Sequence, residues 1–146
     1  MSLQVSAILE RKGDAVVTIA RDGVLLAAAE ALSRHGIGAL VVSDDGRVVD
    51  GILSERDVVR AFARFGTAAV KRGVAEVMST EVVTCERHTT IDELMALMTE
   101  RRIRHVPVLA DGVLVGIVSI GDIVKLRLDE LEVENETLEQ YVSGRT

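Results

Sequence analysis

The chain has 146 residues, 48% hydrophobic and 27% charged with a single proline, a composition that excludes disorder and fits one ordinary domain or two very small ones. A net charge of −6 and an aromatic content of 2% remove the basic surface and the stacking platforms that nucleic acid needs. No apolar run approaches the roughly 18 residues of a membrane span, the start Met1-Ser2-Leu3-Gln4-Val5 is not a secretory signal, and the lone Cys85 closes no internal disulfide, so a reducing cytoplasm is the expected compartment.

Ala15–Ile19 reads as a short strand rich in β-branched residues. The alanine-rich stretch Leu25–His35 reads as a helix with Gly36 in the C-cap position. Gly38–Ser43 and Arg47–Leu53 read as strands around the turn signal Asp44-Asp45-Gly46. A helix over Glu55–Phe65 follows, apolar at Val58, Phe62 and Phe65 and ending at Gly66. Further on, Thr90-x-x-Glu93 is a capping box that opens a helix with core residues Ile91, Leu94, Met95 and Met98. His105–Leu109 and Val113–Val118 are strands around Ala110-Asp111-Gly112, and a last helix starts after Ser119.

The order β-α-β-β-α occurs twice because the sequence itself repeats. Gly51-Ile52-Leu53-Ser54-Glu55-Arg56-Asp57 aligns with Gly116-Ile117-Val118-Ser119-Ile120-Gly121-Asp122 at a spacing of 65 residues. Upstream, Val17-Thr18 aligns with Val83-Thr84 and Ile37 with Ile103 at 66, and Val5…Ile8-Leu9 echoes Val74…Val77-Met78. The units are 2–66 and 74–128, followed by a tail over 129–146. One unit buries too little to be comfortably stable alone. The expected class is therefore α+β, two repeats packed with pseudo-twofold symmetry and an extended C-terminal helix.

Ser-x-x-Asp at a strand-to-helix junction is the chemical signal. A serine N-cap with a carboxylate at the third helical position serves a helix N-terminus by itself. Two copies, each after a Gly-Ile strand end, point beyond capping to a ligand. Free N–H groups at a helix N-terminus attract phosphate, and an aspartate one turn in offers two acceptors to the hydroxyls of a ribose. A ribonucleotide is the ligand these groups suit.

These motifs resemble a stand-alone pair of cystathionine-β-synthase (CBS) domains, a Bateman module, over about residues 5–128. Ser54-Glu55-Arg56-Asp57, Arg102-Ile103-Arg104-His105-Val106-Pro107-Val108 and Ser119-Ile120-Gly121-Asp122 carry the likeness. The resemblance implies two related clefts that bind adenosine ligands (AMP foremost, with ATP, ADP, NAD or S-adenosylmethionine as family alternatives). One cleft would use Ser119 and Asp122, with Ile37, Gly38 and Ala39 near the adenine, Arg104 and His105 toward phosphate, and Lys12 and Gly13 on its wall. The other would use Ser54 and Asp57 with Ile103 and Arg104 brought across from the second unit. Gly38-Ala39 stands where the second unit has Arg104-His105, so the clefts are inequivalent. Arg101 and Arg102 read as solvated charges favourable to a helix C-terminus.

Ser119, Asp122 and His105 lack a Gly-x-Ser-x-Gly elbow and make no hydrolytic site. His35, His88, His105 and Cys85 have no metal-ligand spacing, so no metal is expected. Gly36-Ile37-Gly38 follows a helix and precedes a strand, the reverse of a dinucleotide fingerprint. The expectation is a regulatory binding module without turnover, acting on a partner protein; the alternative is a structural interaction module with degenerate clefts. Val124, Leu128, Leu131, Asn135, Leu138 and Val142 form a heptad seam, and with the resemblance they predict a homodimer.

Overall fold

The computed structural model describes residues 3–142, so Ser2 of the expected first repeat and 143–146 of the expected tail lie outside the described residues. The first element, α1 (Val5–Lys12), buries Val5, Ile8 and Leu9 on one face. Strand β1 (Thr18–Ile19) leads to α2 (Leu25–His35), which closes in a Schellman motif: Gly36, at φ 61°, donates to Ser33 O and Ile37 donates to Leu32 O. Strands β2 (Ala39–Val42) and β3 (Gly51–Ser54) precede α3 (Glu55–Phe65) and a 3₁₀ turn over Gly66–Lys71.

The second half repeats the plan with α4 (Val74–Val77), β4 (Cys85–Glu86), α5 (Ile91–Arg101), β5 (His105–Ala110) and β6 (Val113–Ser119). A single helix, α6 (Ile120–Val142), then joins the last repeat to the tail. Each half holds one three-stranded sheet, with β1 parallel to β2 and β4 parallel to β5, while β2–β3 and β5–β6 are antiparallel.

The halves interlock through their leading helices. Val5, Ile8 and Leu9 of α1 pack in the core of the second repeat with Leu94, Val106 and Ile123, and Val74 of α4 packs in the core of the first with Leu25, Leu40 and Leu53. Backbone bonds repeat the exchange. Val5 N donates to Thr89 O and Ile91 N to Leu3 O; Val74 N donates to Gly23 O and Leu25 N to Arg72 O. This reciprocity is the pseudo-twofold relation in atomic terms.

The glycine that opens each Gly-Ile motif makes the exchange possible. A Cβ on Gly116 would lie 2.6 Å from a methyl of Leu9, and one on Gly51 would lie 2.6 Å from the sulfur of Met78. Each glycine leaves the hollow into which the crossing helix of the other half drops a side chain. The motif glycines therefore serve packing.

Four local expectations differ from the structure. Strand β1 spans only Thr18–Ile19, since only these residues find ladder partners, in Val41 and Val42. Strand β3 starts at Gly51 because the Asp45 carboxylate captures the N–H groups of Arg47 and Val48, which holds them in the loop. In the second half Asp111 and Gly112 both have positive φ, 52° and 77°, and close a two-residue hairpin turn. Phe62 and Met95 are exposed, not core. The inward lines are Val58–Ala61–Phe65 on α3 and Ile91–Leu94–Met98 on α5, which leave positions 62 and 95 on the flanks.

Candidate functional site

Both Ser-x-x-Asp motifs form their helix caps. Ser54 holds extended backbone before α3; its N–H donates to Asp57 Oδ2 at 2.8 Å and its hydroxyl accepts from Asp57 N at 3.3 Å. Ser119 N donates to Asp122 Oδ2 at 2.8 Å, and Asp122 N donates to Ser119 Oγ at 3.2 Å. These caps use Oδ2 alone, so the carboxylates retain acceptor capacity for a ligand hydroxyl.

A cavity of about 570 Å³ opens beside the first motif. Ser54 and Asp57 form one wall, Gly38 just before β2 and Ala39 at its start form another, and Ile103, Arg104 and His105 reach in from the second repeat. Seven of the expected site residues thus meet in one cleft. Arg104 was expected at both clefts, but His105, Gly38 and Ala39, expected at the Asp122 cleft, line this one instead. Ile37 does not: it packs on the first repeat's core and lines a separate hollow with Gly36 and Val58.

The Asp122 side is built differently. Lys12, at the end of α1, places Nζ 2.8 Å from Asp122 Oδ2 and 2.9 Å from the carbonyl of Ile117. The repeat-one counterpart of Ile117 is Ile52, which bonds both ways with Ser79 in an isolated bridge. The lysine thus takes over a carbonyl that a backbone N–H satisfies in the other half. Gly13 ends α1 at φ 90°, donating to Leu9 O, and so turns the chain just beyond Lys12. Burial resists ionisation of Asp122, but the Lys12 ammonium and the Ser119 N–H outweigh it and hold the carboxyl below its ordinary range.

His105 stands between the two sides. Burial pushes its imidazole below the ordinary value, against the pull of the Glu55 and Asp122 carboxylates, while Lys12 and Arg104 add to the depression. Gly38 makes room for the ring, since a Cβ there would lie 2.8 Å from His105 Cε1. The difference between Gly38-Ala39 and Arg104-His105 is therefore steric as well as chemical: a large side chain on one strand requires glycine on the other.

Sequence reasoning missed part of the lining. Val82 and Val83 precede β4 and were reachable through the repeat alignment. Arg56, Arg60, Arg101 and Arg102 also border the cavity, the last two against the expectation that they are solvated charges. Cys85 is buried and its thiol is pushed up to about 12, so it is a small strand residue held as a thiol. Among the described residues no cluster of three or more His, Cys, Asp or Glu can hold a metal ion, and no helix is long and apolar enough to cross a membrane.

The CBS domain family profile matches the chain twice, over residues 7–64 and 74–129. The chain is 32% identical to the CBS domain-containing protein CBSX3, mitochondrial, of Arabidopsis thaliana, over 98% of this chain and 73% of that protein. Among solved structures, the CBS-domain containing protein ATU1752 from Agrobacterium tumefaciens is 49% identical with a TM-score of 0.82, covering 85% of this chain and 98% of the other. The CBS domain pair of protein MJ0100, solved in complex with 5′-methylthioadenosine and S-adenosyl-L-methionine, is 28% identical with a TM-score of 0.75, covering 84% and 98%. The interlocked repeats, the doubled strand–Gly-Ile–Ser-x-x-Asp–helix junction and these matches agree, and the chain belongs to the CBS domain family as a tandem pair.

Proposed function

We propose that this CBS pair is a regulatory module that binds an adenosine nucleotide in the Ser54/Asp57 cleft and passes its occupancy to a partner protein. The observation that carries the reading is the convergence, in one cavity, of a capped aspartate, a small-residue strand start and a cationic residue from the other repeat. Asp57 would take the ribose hydroxyls, Gly38, Ala39 and Ile103 would border the adenine, and Arg104 would meet phosphate. The adenosine ligands held by the MJ0100 pair support the same ligand class. AMP is the minimal nucleotide that satisfies these groups.

No turnover is proposed. Each motif serine is engaged as a helix cap, and neither hydroxyl has a histidine hydrogen-bonded to it as a general base. Calorimetric titration with AMP, ATP and NAD tests the reading. Asp57→Ala should weaken binding by about ten- to a hundredfold, the ~1.5–3 kcal/mol of a charge-assisted hydrogen bond. Silence with all three nucleotides would favour an interaction module instead. That second reading has its own observation: Val124, Leu128, Leu131 and Leu138 lie exposed along α6, the stripe expected for a homodimer.

A further inference from the structure

We infer that the Ser54/Asp57 cleft carries a polyphosphate-binding wall and selects a nucleoside triphosphate over a monophosphate; the inference rests on the nucleotide reading above. Five arginines border the cavity, Arg56 and Arg60 on α3, Arg101 and Arg102 at the end of α5, and Arg104, against the carboxylates Glu55, Asp57 and Glu81. Among the described residues none of the five guanidinium groups forms an ion pair or a side-chain hydrogen bond. The whole chain carries a net charge of −6, so carboxylates for pairing are plentiful elsewhere. Five mutually repelling cations around one concavity call for an anion of several charges.

The internal repeat serves as a control. At the positions equivalent to Arg56, Arg60, Arg101, Arg102 and Arg104 the other half has Gly121, Lys125, His35, Gly36 and Gly38. The fold therefore needs no arginine at any of them. Two of the five also sit where local structure disfavours them. Arg102 caps α5 with φ 55°, a left-handed conformation that glycine adopts at no steric cost and that Gly36 adopts in the other repeat. Arg56 lies in the first turn of α3, where the helix dipole repels a cation. Strain and unfavourable charge retained at a cleft mark function more than folding.

An ATP-class ligand would place its first phosphate near Arg104 and extend the chain toward the helix-borne arginines. The test titrates the full chain with adenosine, AMP, ATP and inorganic tripolyphosphate in magnesium-free buffer at two ionic strengths. ATP should bind at least about tenfold more tightly than AMP, and added salt should shrink that ratio. Arg102→Gly should leave Tm unchanged or raised, because it relieves the positive φ, yet bring the ATP-to-AMP ratio toward one. The double variant Arg56→Ala/Arg60→Ala, on an exposed helix face, should do the same. Equal affinity for AMP and ATP, or a preference that survives both variants, overturns the inference and leaves the nucleotide reading standing. Binding of tripolyphosphate with silence from every adenosine ligand keeps the cationic wall and discards the nucleotide. Silence with all four ligands discards both.

Discussion

The ammonium of Lys12 lies 2.8 Å from Asp122 Oδ2, so a cation already sits against the carboxylate expected to receive a ribose on that side. Among the described residues Asp57, its counterpart, has only its own capping partners. The two clefts of this pair are thus inequivalent through one side chain from the leading helix, beyond the difference between Gly38-Ala39 and Arg104-His105.

That relationship predicts stoichiometry. The parent chain should bind one adenosine nucleotide per molecule, at the Asp57 side. Lys12→Met removes the ammonium but keeps an apolar stem, and should raise the calorimetric stoichiometry toward two. Both partners are partly exposed, 32% for Lys12 and 22% for Asp122, so the loss of the pair should cost stability only about 0.5–1 kcal/mol. An unchanged stoichiometry of one in a folded Lys12→Met protein would mean that the lysine is not what closes the second cleft.

Much of this was legible before any coordinates, because each signal was local or doubled. The end of α2 and both bounds of α3 follow from the cap residues Gly36, Ser54 and Gly66 that sit next to them in sequence. The repeat doubled every weak signal into a strong one. The exchange of leading helices was not legible, since Val5-x-x-Ile8-Leu9 reads the same whichever core receives it. The resemblance puts Lys12 on the Asp122 side, but does not give its direct pairing with the carboxylate, which joins residues 110 apart. In the sequence Arg101 and Arg102 read as solvated because a helix C-terminus explains them cheaply; only the spatial approach of α3 shows that they share a cavity with Arg56 and Arg60.

The fit of Leu9 against Gly116 gives a second prediction. Gly116→Ala puts a methyl 2.6 Å from Leu9 Cδ2 inside the buried core, an overpacking cost of about 1–3 kcal/mol. Leu9→Ala alone empties a buried site and should cost about 2–5 kcal/mol. In the double variant the new methyl occupies part of the space that Leu9 leaves. Urea unfolding should show the pair less destabilised than the sum of the single changes, by roughly 1 kcal/mol. Strict additivity would show that the two side chains do not meet.

His105 sets a pH dependence whose sign follows from its depressed imidazole. An unfolded histidine gains its proton near pH 6.5, whereas the folded one resists protonation to lower pH. Below about pH 6.5 the unfolded chain therefore binds more protons, and stability falls as the pH drops through that window. The expected titration midpoint of the His105 ring by NMR lies below 6.5. His105→Gln should lose less stability than the parent between pH 7 and pH 5. A ring that titrates above 6.5 would show that the Glu55 and Asp122 carboxylates outweigh burial.

The long last helix carries the final prediction. The first turns of α6 spend Ile123 and Leu126 on the second repeat's core, while Val124, Leu128, Leu131 and Leu138 stay more than half exposed on another face. The helix is tied to the body at its side by the Arg11–Asp129 pair and by Arg127, which reaches Asp92 at 2.6 Å. Neither tie covers the apolar stripe. A row of exposed leucines at heptad spacing on a helix flanked by acidic residues fits a second copy of the same stripe, with Asn135 as the one polar position that fixes register. Truncation after Arg127 removes Leu128, Leu131 and Leu138 but keeps Ile123, Leu126 and the Asp92 contact. The truncated chain should unfold at nearly the same urea midpoint, since the lost Arg11–Asp129 and Arg127–Glu130 pairs are both partly exposed and each is worth at most about 1 kcal/mol. Sedimentation across a dilution series should show a dimer for the full chain and a weaker one, by about tenfold or more, for the truncated form. A full-length chain that stays monomeric at about 20 µM would remove the dimer altogether, because a submicromolar affinity populates it there. An unchanged dissociation constant after truncation would move the interface from the tail to the repeats.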